Sequence, residues 1–215
     1  YNIKGKLYKL FDFLKKNHDK IDGDIFEAGV YNGYQSISFA IFLKYIGSKK
    51  KLYCYDTFSG FPVNFHKYDN VGYFSNLHYE RKISNMHYQQ VKNFLKLKSK
   101  ILKIDNNPKN ISSSGNFDSN FKMFKKKIKL LNLNNIIIKK GNFNETMKTH
   151  KNNPKKIMCG IIDCDLYNSY KTVLEFIDQR LQKKSIVYLD EYYSLKFPGA
   201  KVAIDEYLKS KKNNS

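Results

Sequence analysis

The sequence predicts an α/β fold in which a mostly parallel sheet is flanked by helices. Two apolar runs end in acids, at residues 161–165 (IIDCD) and 186–191 (IVYLDE). Such runs are typical of buried parallel strands that carry carboxylates to the ligand edge of a sheet. The segment between them, residues 169–181, has the spacing of a single helix. Strands that alternate with helices imply parallel pairing through right-handed crossovers.

The same periodicities predict the other elements in order. Helices are expected over residues 3–17, from after Gly33 to residue 46, over 85–98 and over 119–131. Asp118 or Ser119 is the predicted N-cap of the last of these helices. Strands are expected over residues 24–28, 52–56, 136–139, 157–163 and 185–190.

Residues 62–117 interrupt this alternation after the second strand. A long interruption in a compact domain is usually a functional lid or a disordered segment. We therefore predict a lid, with a loop at residues 105–116. The histidines in it, His66, His78 and His87, are interpreted as loop or lid residues rather than catalytic bases. Its many aromatic residues are explained equally well by sugar stacking, core packing or contacts in a homo-oligomer.

Length and composition indicate one globular domain over residues 1–215. The hydrophobic content of 41% argues against a disordered chain, and no apolar run reaches the roughly 18 residues of a membrane span. Cys54, Cys159 and Cys164 lie in or beside apolar strands, which favours reduced core thiols in the cytoplasm. The net charge of +20 comes from lysines spread along the chain without an arginine-rich arm. An anionic small substrate or glycan is therefore favoured over nucleic acid.

The acidic strand ends predict a metal site. Two strands joined by one helix would bring Asp163, Asp190 and Glu191 to the same edge of the sheet. These carboxylates would repel one another unless a cation lay among them. The alternative is that the acids only cap the following helices. For Asp165, a hydrogen bond to the following loop and a contact with the metal remain equally open.

Two glycines after the first strand predict a turn that approaches a ligand. Gly29 would allow a tight turn, and Gly33, at the start of the next helix, would allow close packing of that helix against the sheet. Asp56 ends the second strand, where an acid can accept hydrogen bonds from a ribose diol. The sequence lacks the G-K-[ST] of a phosphate-binding loop and the third glycine of a dinucleotide-binding turn.

The motifs at these positions are similar to those of a known family. In chain order they are EAGVYNGYQS at residues 27–36, DTFSGFP at 56–62, GNFNET at 141–146, DCDLYNS at 163–169, DEY at 190–192 and PGAKVA at 198–203. The chain resembles the macrocin O-methyltransferase family of class I S-adenosylmethionine (SAM) enzymes, which methylate sugar hydroxyls. Departures are Cys164, which replaces a glycine, and Lys183-Lys184-Ser185, which replaces a glycine pair.

The resemblance implies a Rossmann-like fold, SAM as the cofactor and Mg²⁺ as the metal, since oxygen ligands favour Mg²⁺ over Zn²⁺. Glu27, Gly29 and Gly33 would lie along the methionine part of SAM, and Asp56 would hold the ribose. The other implied contacts with the cofactor come from residues in the same motifs, namely Ser36, Ser59, and Asn142 and Phe143 at the adenine.

The resemblance also implies the catalytic arrangement. Asp163, Asp190 and Glu191 would bind the metal, and Asp163 would take the proton of the acceptor hydroxyl. Two alternatives stay open: a methyltransferase acting on another polar small molecule or on nucleic acid, and a noncatalytic SAM-binding scaffold. A class I methyltransferase would add a hairpin after residue 215, so we expect a trimmed fragment.

Overall fold

Strands alternate with helices in the computed structural model, which describes residues 5, 7–62, 64–101, 108–112, 121–148 and 152–213. The strands are β1 (Asp24–Ala28), β2 (Leu52–Asp56), β3 (Ile136–Lys140), β4 (Ile157–Ile162) and β5 (Leu181–Leu189). The α-helices are α1 (Tyr8–Asn17), α2 (Tyr34–Tyr45), α3 (Phe74–Tyr79), α4 (Asn85–Ile101), α5 (Pro108–Ile111), α6 (Phe121–Leu130), α7 (Phe143–Thr146), α8 (Tyr167–Asp178) and α9 (Pro198–Asn213). Short 3₁₀ helices cover Lys67–Asp69, Val71–Tyr73 and Asp190–Tyr193.

The described strands form one sheet in the order β3-β2-β1-β4-β5, and every neighbouring pair is parallel. This confirms the predicted α/β fold class. All six residues of β4 are buried, as are the last four residues of β1, as expected when helices cover both faces of a parallel sheet. None of the described helices has the length and apolar character that crossing a membrane requires.

The last strand differs from the prediction. β5 begins at Leu181, not at residue 185, and α8 covers Tyr167–Asp178 in place of residues 169–181. The backbone N–H of Ile157 donates to the carbonyl oxygen of Arg180, so pairing with β4 starts there. Lys184 then adopts a positive φ of 68°, and the β4–β5 register shifts. An irregularity of this kind interrupts the alternation of apolar residues from which strands are predicted.

Helix boundaries follow the predictions within a few residues. α2 matches the predicted helix after Gly33, α4 continues to Ile101, and β1 and β2 have the predicted bounds. The predicted caps Asp118 and Ser119, and the predicted start of the first helix at residue 3, lie outside the described residues.

The chain forms two compact units. The first takes its described residues from Tyr1–Phe58, Ser119–Asp163 and Glu175–Leu189. Its core contains Leu14, Ile25 and Phe39, all without solvent exposure, and the Phe11 ring stacks on Phe39 at 4.6 Å between ring centroids. Cys54 and Cys159 are buried here, and neither forms a disulfide.

The second unit takes its described residues from Ser59–Asp118, Cys164–Leu174 and Asp190–Ser215. It contains most of the predicted lid, whose described part is largely helical through α3, α4 and α5. The predicted loop at residues 105–116 is wrong at Pro108–Ile111, which is a short helix with both end residues buried. Residues 105–107 and 113–116 lie outside the described chain. Closure over an acceptor stays a prediction.

Candidate active site

The carboxyl ends of β1, β2 and β3 meet at one edge of the first unit. Glu27 is level with Cys54, and Asp56 is level with Lys140. The N–H of Gly29 donates to the carbonyl oxygen of Tyr55 at 2.9 Å. The N–H of Gly141 donates to the carbonyl oxygen of Asp56 at 3.0 Å. The structure thus brings together the glycine turn, Asp56 and the start of the segment that carries Asn142, at the edge where parallel sheets of this kind bind ligands.

The turn between β1 and α2 depends on left-handed backbone conformations. Gly29 has a φ of 89°, Tyr31 of 52° and Gly33 of 73°. Gly33 is the N-cap of α2, and a Cβ atom there would overlap the ring of Phe124. The close contact at Gly33 is therefore with the Phe124 ring of α6 and not the predicted packing of the helix against the sheet.

The carboxylate of Asp56 holds this turn in place. Its Oδ2 accepts the N–H groups of Val30 and Tyr31 at 2.7 and 2.9 Å, and its Oδ1 accepts the N–H of Phe58 at 2.7 Å. A carboxylate has about four acceptor positions, so the turn uses most of them. This role was not predicted from the sequence, although an acid at the end of the strand next to a glycine turn could have indicated that its carboxylate binds the N–H groups of the turn. Ribose binding by Asp56 stays a prediction.

Glu27 is fully buried at the end of β1. Its Oε2 accepts the hydroxyl of Ser36 at 2.5 Å and lies 3.6 Å from the Cys54 sulfur. Its Oε1 is buried and has no hydrogen-bond partner among the described residues. Burial is the main cause, and the charges of Asp163 and Asp56 are smaller causes, of a pKa of Glu27 that is raised to about 8.

The unpaired Oε1 of Glu27 indicates whether the residues at this edge can accommodate SAM. A buried acceptor without a donor costs free energy, and the Oε1 atom of Glu27 lies beside the turn that opens at Gly29. The cationic groups of a methionine moiety would supply the missing partner. The residues present therefore fit the cofactor. Ser36, in contrast, has its hydroxyl committed to Glu27, so its predicted contact with the cofactor would be indirect.

The remaining predicted cofactor residues lie in loops. Asn142 is the N-cap of α7, and its Oδ1 accepts the N–H of Asn144 at 3.0 Å. Phe143 is the first residue of α7 and is half-buried. Ser59 follows Phe58, which has a positive φ of 54°, and belongs to the second unit. Their contacts with a cofactor stay predictions.

Asp163 follows β4 directly in the first unit. Its backbone N–H donates to the carbonyl oxygen of Ala28 at 2.8 Å, which continues the pairing with β1 by one residue. Its charge is one of the causes that raise the pKa of Glu27. Asp163 therefore acts electrostatically on Glu27 at the carboxyl edge of the sheet.

Two further carboxylates approach each other in the second unit. Oxygens of Asp165 and Glu191 lie within 4.8 Å of one another. Asp165 has a φ of 60°, a conformation that is uncommon outside glycine. Glu191 is buried, and the Tyr170 hydroxyl donates to its Oε2 at 2.9 Å while accepting its N–H at 3.3 Å. A pair of oxygen donors held this closely fits a hard cation.

The Tyr170 contact was not predicted from the sequence. Burial raises the pKa of the Tyr170 hydroxyl far above its usual value, and the charge of Glu191 raises it further. The tyrosine is therefore a neutral donor that fixes the orientation of the carboxylate. Tyr170 is the fourth residue of the amphipathic helix α8, and this position gives no sequence signal beyond core packing.

The acidic turn Asp190–Tyr193 is anchored on α9. The hydroxyl of Tyr192 donates to Oδ1 of Asp205 at 2.8 Å. The buried ammonium of Lys201 pairs with Asp205 at 2.9 Å and lies 4.2 Å from the centroid of the Tyr192 ring. The ring and hydroxyl of Tyr192 therefore fix this turn to α9. A metal contact by Asp190, the first residue of this turn, stays a prediction.

The histidines of the predicted lid have packing partners. His66 stacks on Tyr167 with 4.3 Å between ring centroids, and His78 stacks on Tyr88 at 4.5 Å. The Nε2 atom of His87 lies 3.0 Å from the carbonyl oxygen of Ser194. These contacts agree with their interpretation as lid residues.

Comparisons with known proteins agree with this architecture. The family model described as Macrocin-O-methyltransferase (TylF) matches residues 6–103. The match confirms, over these residues, the resemblance predicted from the motifs. No curated protein matches the chain in sequence.

Solved structures share the fold. The O-methyltransferase NovP superposes with a TM-score of 0.65 at 18% identity, covering 95% of this chain and 73% of that one. CalS11, a calicheamicin methyltransferase, superposes with a TM-score of 0.61 at 20% identity, covering 94% and 72%. The apo structure of CalS11, named as a TDP-rhamnose 3'-O-methyltransferase, gives 0.51 at 21% identity with the same coverage.

Proposed function

We propose that this chain, whose residues 6–103 match the macrocin O-methyltransferase family, is an O-methyltransferase that transfers a methyl group from SAM to a hydroxyl of a sugar or glycan with the help of Mg²⁺. The observation that carries the proposal is the unpaired, buried Oε1 of Glu27 beside the glycine turn at the carboxyl edge of the sheet. It is a buried polar atom left without a partner at the edge where this fold binds its ligand.

The chain's residues would hold SAM in three places. Glu27 would accept a cationic group of the methionine part, with Gly29 and Gly33 letting the backbone come close. Asp56 would accept a ribose hydroxyl at the acceptor position that its three bonds to backbone N–H groups leave over, which would link cofactor binding to the shape of that turn. Asn142 and Phe143 would border the adenine.

A sugar hydroxyl as the acceptor is supported by the structural relatives. CalS11 is named as a TDP-rhamnose 3'-O-methyltransferase, and the matching family is named for a macrocin O-methyltransferase. The net charge of +20 supports an acceptor that carries anionic groups. The three cysteines are buried and form no disulfide, which supports a reducing, cytoplasmic compartment.

Asp163, Asp190 and Glu191 would hold the metal. Asp165 joins this proposal, because its carboxylate lies near that of Glu191 and because only Cys164 separates it from Asp163 in the sequence. Bound Mg²⁺ would lower the pKa of the acceptor hydroxyl.

Asp163 would serve as the general base. One of its carboxylate oxygens would accept the proton of the hydroxyl while the acceptor oxygen forms its bond to the methyl carbon and the carbon–sulfur bond breaks. The proton ends on Asp163, and the sulfur leaves as a neutral thioether. Glu27 in its ionised form would favour the positively charged cofactor over the neutral product, and so would assist product release.

A binding experiment separates the cofactor from the rest of the proposal. Calorimetry should show SAM binding to the wild-type chain and much weaker binding to Glu27→Ala, with Glu145→Ala, which alters an exposed carboxylate, as the matched control. Equal SAM affinity in the wild type and in both variants would mean that SAM does not bind beside Glu27.

A methylation assay then tests the enzyme. A panel of nucleotide sugars, in Mg²⁺ and in EDTA, should reveal methyl transfer that needs the metal. SAM binding without turnover on any sugar would favour the scaffold alternative. Methylation of RNA but not of sugars would favour the nucleic-acid alternative.

A further inference from the structure

Two neighbouring helices of the first unit, α2 and α6, expose a basic surface without acids. Between Gly29 and Tyr55 and between Phe121 and Asn144 the sequence holds no aspartate or glutamate. The same two segments hold the lysines Lys44, Lys49, Lys50, Lys51, Lys122, Lys125, Lys126, Lys127, Lys129, Lys139 and Lys140. Lys44 lies on α2 and five of the others (Lys122, Lys125, Lys126, Lys127 and Lys129) lie on α6, so the two helices carry positive charge and no acid.

Direct contacts place the two helices side by side. The ammonium of Lys127 lies 4.4 Å from the ring centroid of Tyr34. The ammonium of Lys44 donates to the carbonyl oxygen of Asn132, which follows α6, at 3.4 Å. The two helices therefore present one continuous face, which we call the α2–α6 surface.

The α2–α6 surface is also unusually apolar. Tyr34 is 70% exposed, Tyr45 84% and Leu130 81%, and Ile41 and Leu131 are partly exposed among them. On α2, Tyr34, Ile41 and Tyr45 are spaced by seven and four residues, which puts them on one face of the helix. Scattered surface hydrophobics need no explanation, but apolar and tyrosine side chains aligned between lysines do.

Two lysines lie over an aromatic ring of α6, so their ammonium groups contact the ring rather than an acid. The ammonium groups of Lys125 and Lys140 lie 4.8 and 4.6 Å from the ring centroid of Phe121. Helix α1, whose Phe11 packs against α2, carries Asp12, but this carboxylate is paired with Lys16 at 2.7 Å. Its charge is compensated locally.

The combination of lysines and exposed apolar side chains indicates which kind of partner the α2–α6 surface binds. A second copy of the same surface would bring lysines against lysines, with no carboxylate to compensate them, so self-association through this face is disfavoured. Nucleic acid would use the lysines but would leave exposed Leu130 and Ile41 without a role. An anionic lipid surface would contact both the lysines and the apolar side chains, because lysines reach the headgroups while tyrosine and leucine side chains enter the interface.

We propose that the α2–α6 surface binds the chain to anionic membranes, lying on the headgroup layer without crossing it. Lysines supply the attraction to negatively charged lipid, and Tyr34, Tyr45 and Leu130 supply apolar insertion. The inference is independent of the methyl-transfer proposal, since Tyr34, Tyr45, Leu130 and the lysines of α6 are neither proposed to hold the cofactor nor part of the acidic cluster.

Vesicle flotation tests the proposal with the full chain. The protein should float with vesicles of phosphatidylglycerol and phosphatidylcholine, and should stay unbound with phosphatidylcholine alone or in high salt. The triple variant Lys122→Glu/Lys126→Glu/Lys129→Glu should weaken binding on the order of a hundredfold. Its matched control makes the same charge change on exposed lysines of α9, Lys209→Glu/Lys211→Glu/Lys212→Glu, and should bind as the wild type does.

A second pair of changes separates a membrane from any other polyanion. Tyr45→Ser/Leu130→Ser leaves the charge unchanged and should lower vesicle affinity roughly tenfold, because apolar insertion is lost. Binding to single-stranded RNA by the same variant should not change. Circular dichroism of each variant reports whether it is folded.

Three outcomes would overturn the proposal. One is equal loss of vesicle binding in the α6 and α9 triple variants, which would indicate net charge alone. Another is tight RNA binding without vesicle binding. The third is a self-associated wild type in light scattering that becomes a monomer in Tyr45→Ser/Leu130→Ser.

Discussion

The hydroxyl of Ser36, on α2, donates a 2.5 Å hydrogen bond to Oε2 of Glu27 at the end of β1. The bond joins a helix and a strand across the glycine turn and leaves Oε1 of the same carboxyl group without a described partner. One oxygen thus has a structural role, and the other is available for a ligand.

Glu27→Gln should make the ligand-free protein less sensitive to high pH. Burial raises the pKa of Glu27 from 4.5 to about 8, so the folded state holds a proton that the unfolded state releases. The associated stability is fully present below pH 4.5 and is lost as pH rises through about 8. Urea unfolding across this range should show the wild type losing on the order of a few kcal/mol more than the variant.

The control for this measurement is Glu145→Gln, an exposed carboxyl group on α7. It should follow the wild-type pH profile. Identical profiles for Glu27→Gln and the wild type would show that Glu27 is ionised at neutral pH in the folded protein.

Gly33→Ala should destabilise the protein by several kcal/mol, while Gly47→Ala should cost only about 1 kcal/mol. Both glycines have positive φ, 73° and 67°, so backbone strain is matched. A Cβ atom at Gly33 would overlap the ring of Phe124, whereas a Cβ atom at Gly47 would meet nothing within 4 Å. Thermal or urea unfolding of the two variants isolates the overlap.

The double variant Gly33→Ala/Phe124→Leu sharpens this test. If the ring is the obstacle, the two changes should cost less together than the sum of their separate effects. Additive losses would place the cost of Gly33→Ala in the backbone alone.

The central part of the fold was predictable because its sequence patterns are local. β1, β2 and β4 are apolar runs bounded by acids and glycines, and their carboxyl ends define where Glu27 and Asp56 lie. The start of β5 was not predictable, because its first half is polar and its backbone is irregular near Lys184, so the alternation of apolar residues that indicates a strand is missing there.

Contacts between distant segments were beyond the sequence for another reason. The bond from Tyr170 to Glu191 and the three N–H groups that Asp56 accepts depend on the register of whole elements. Composition also concealed α5 at Pro108–Ile111, because asparagine, proline and lysine are typical of loops, and only the burial of Pro108 and Ile111 accounts for the helix.

Asp163→Asn should lower turnover on the order of a hundredfold with little change in SAM affinity, because it keeps the shape but removes the proposed base. It should also bring the pKa of Glu27 down, since burial and then the charge of Asp163 are among the causes that raise it. Steady-state kinetics and calorimetry measure the two effects.

Asp24→Asn is the matched control for this change, because Asp24 begins β1 at the opposite end of the strand and accepts the N–H of Lys51. It should retain turnover. Full activity of Asp163→Asn would show that Asp163 is not the general base and would favour the alternative that it only caps the following helix.

Asp56→Asn should lower both stability and SAM affinity. The variant replaces one acceptor oxygen by an amide donor that faces backbone N–H groups, so at least one of the bonds to Val30, Tyr31 and Phe58 is lost. The stability cost should be about 2 kcal/mol in urea unfolding without ligand. Unchanged stability together with weaker SAM binding would show that the carboxylate serves the cofactor and not the turn.

Tyr170→Phe should weaken the binding of Mg²⁺ or Mn²⁺, measured by calorimetry, and lower stability by about 1–3 kcal/mol. The hydroxyl is the donor that orients Glu191 at 2.9 Å. Tyr55→Phe removes a comparable bond, to Asn153 at 2.9 Å, and should cost stability without affecting the metal. Equal metal affinity in both variants would limit Tyr170 to packing.

The central place of β1 in the sheet sets the order in which the chain can fold. Its partner on one side, β2, follows directly after α2, whereas its partner on the other side, β4, comes far later. Closing the short loop costs little entropy and closing the long one costs more. During synthesis one edge of β1, with Ile25 and Phe26, therefore stays unpaired until β4 emerges. That edge is where a partly made chain is most open to aggregation.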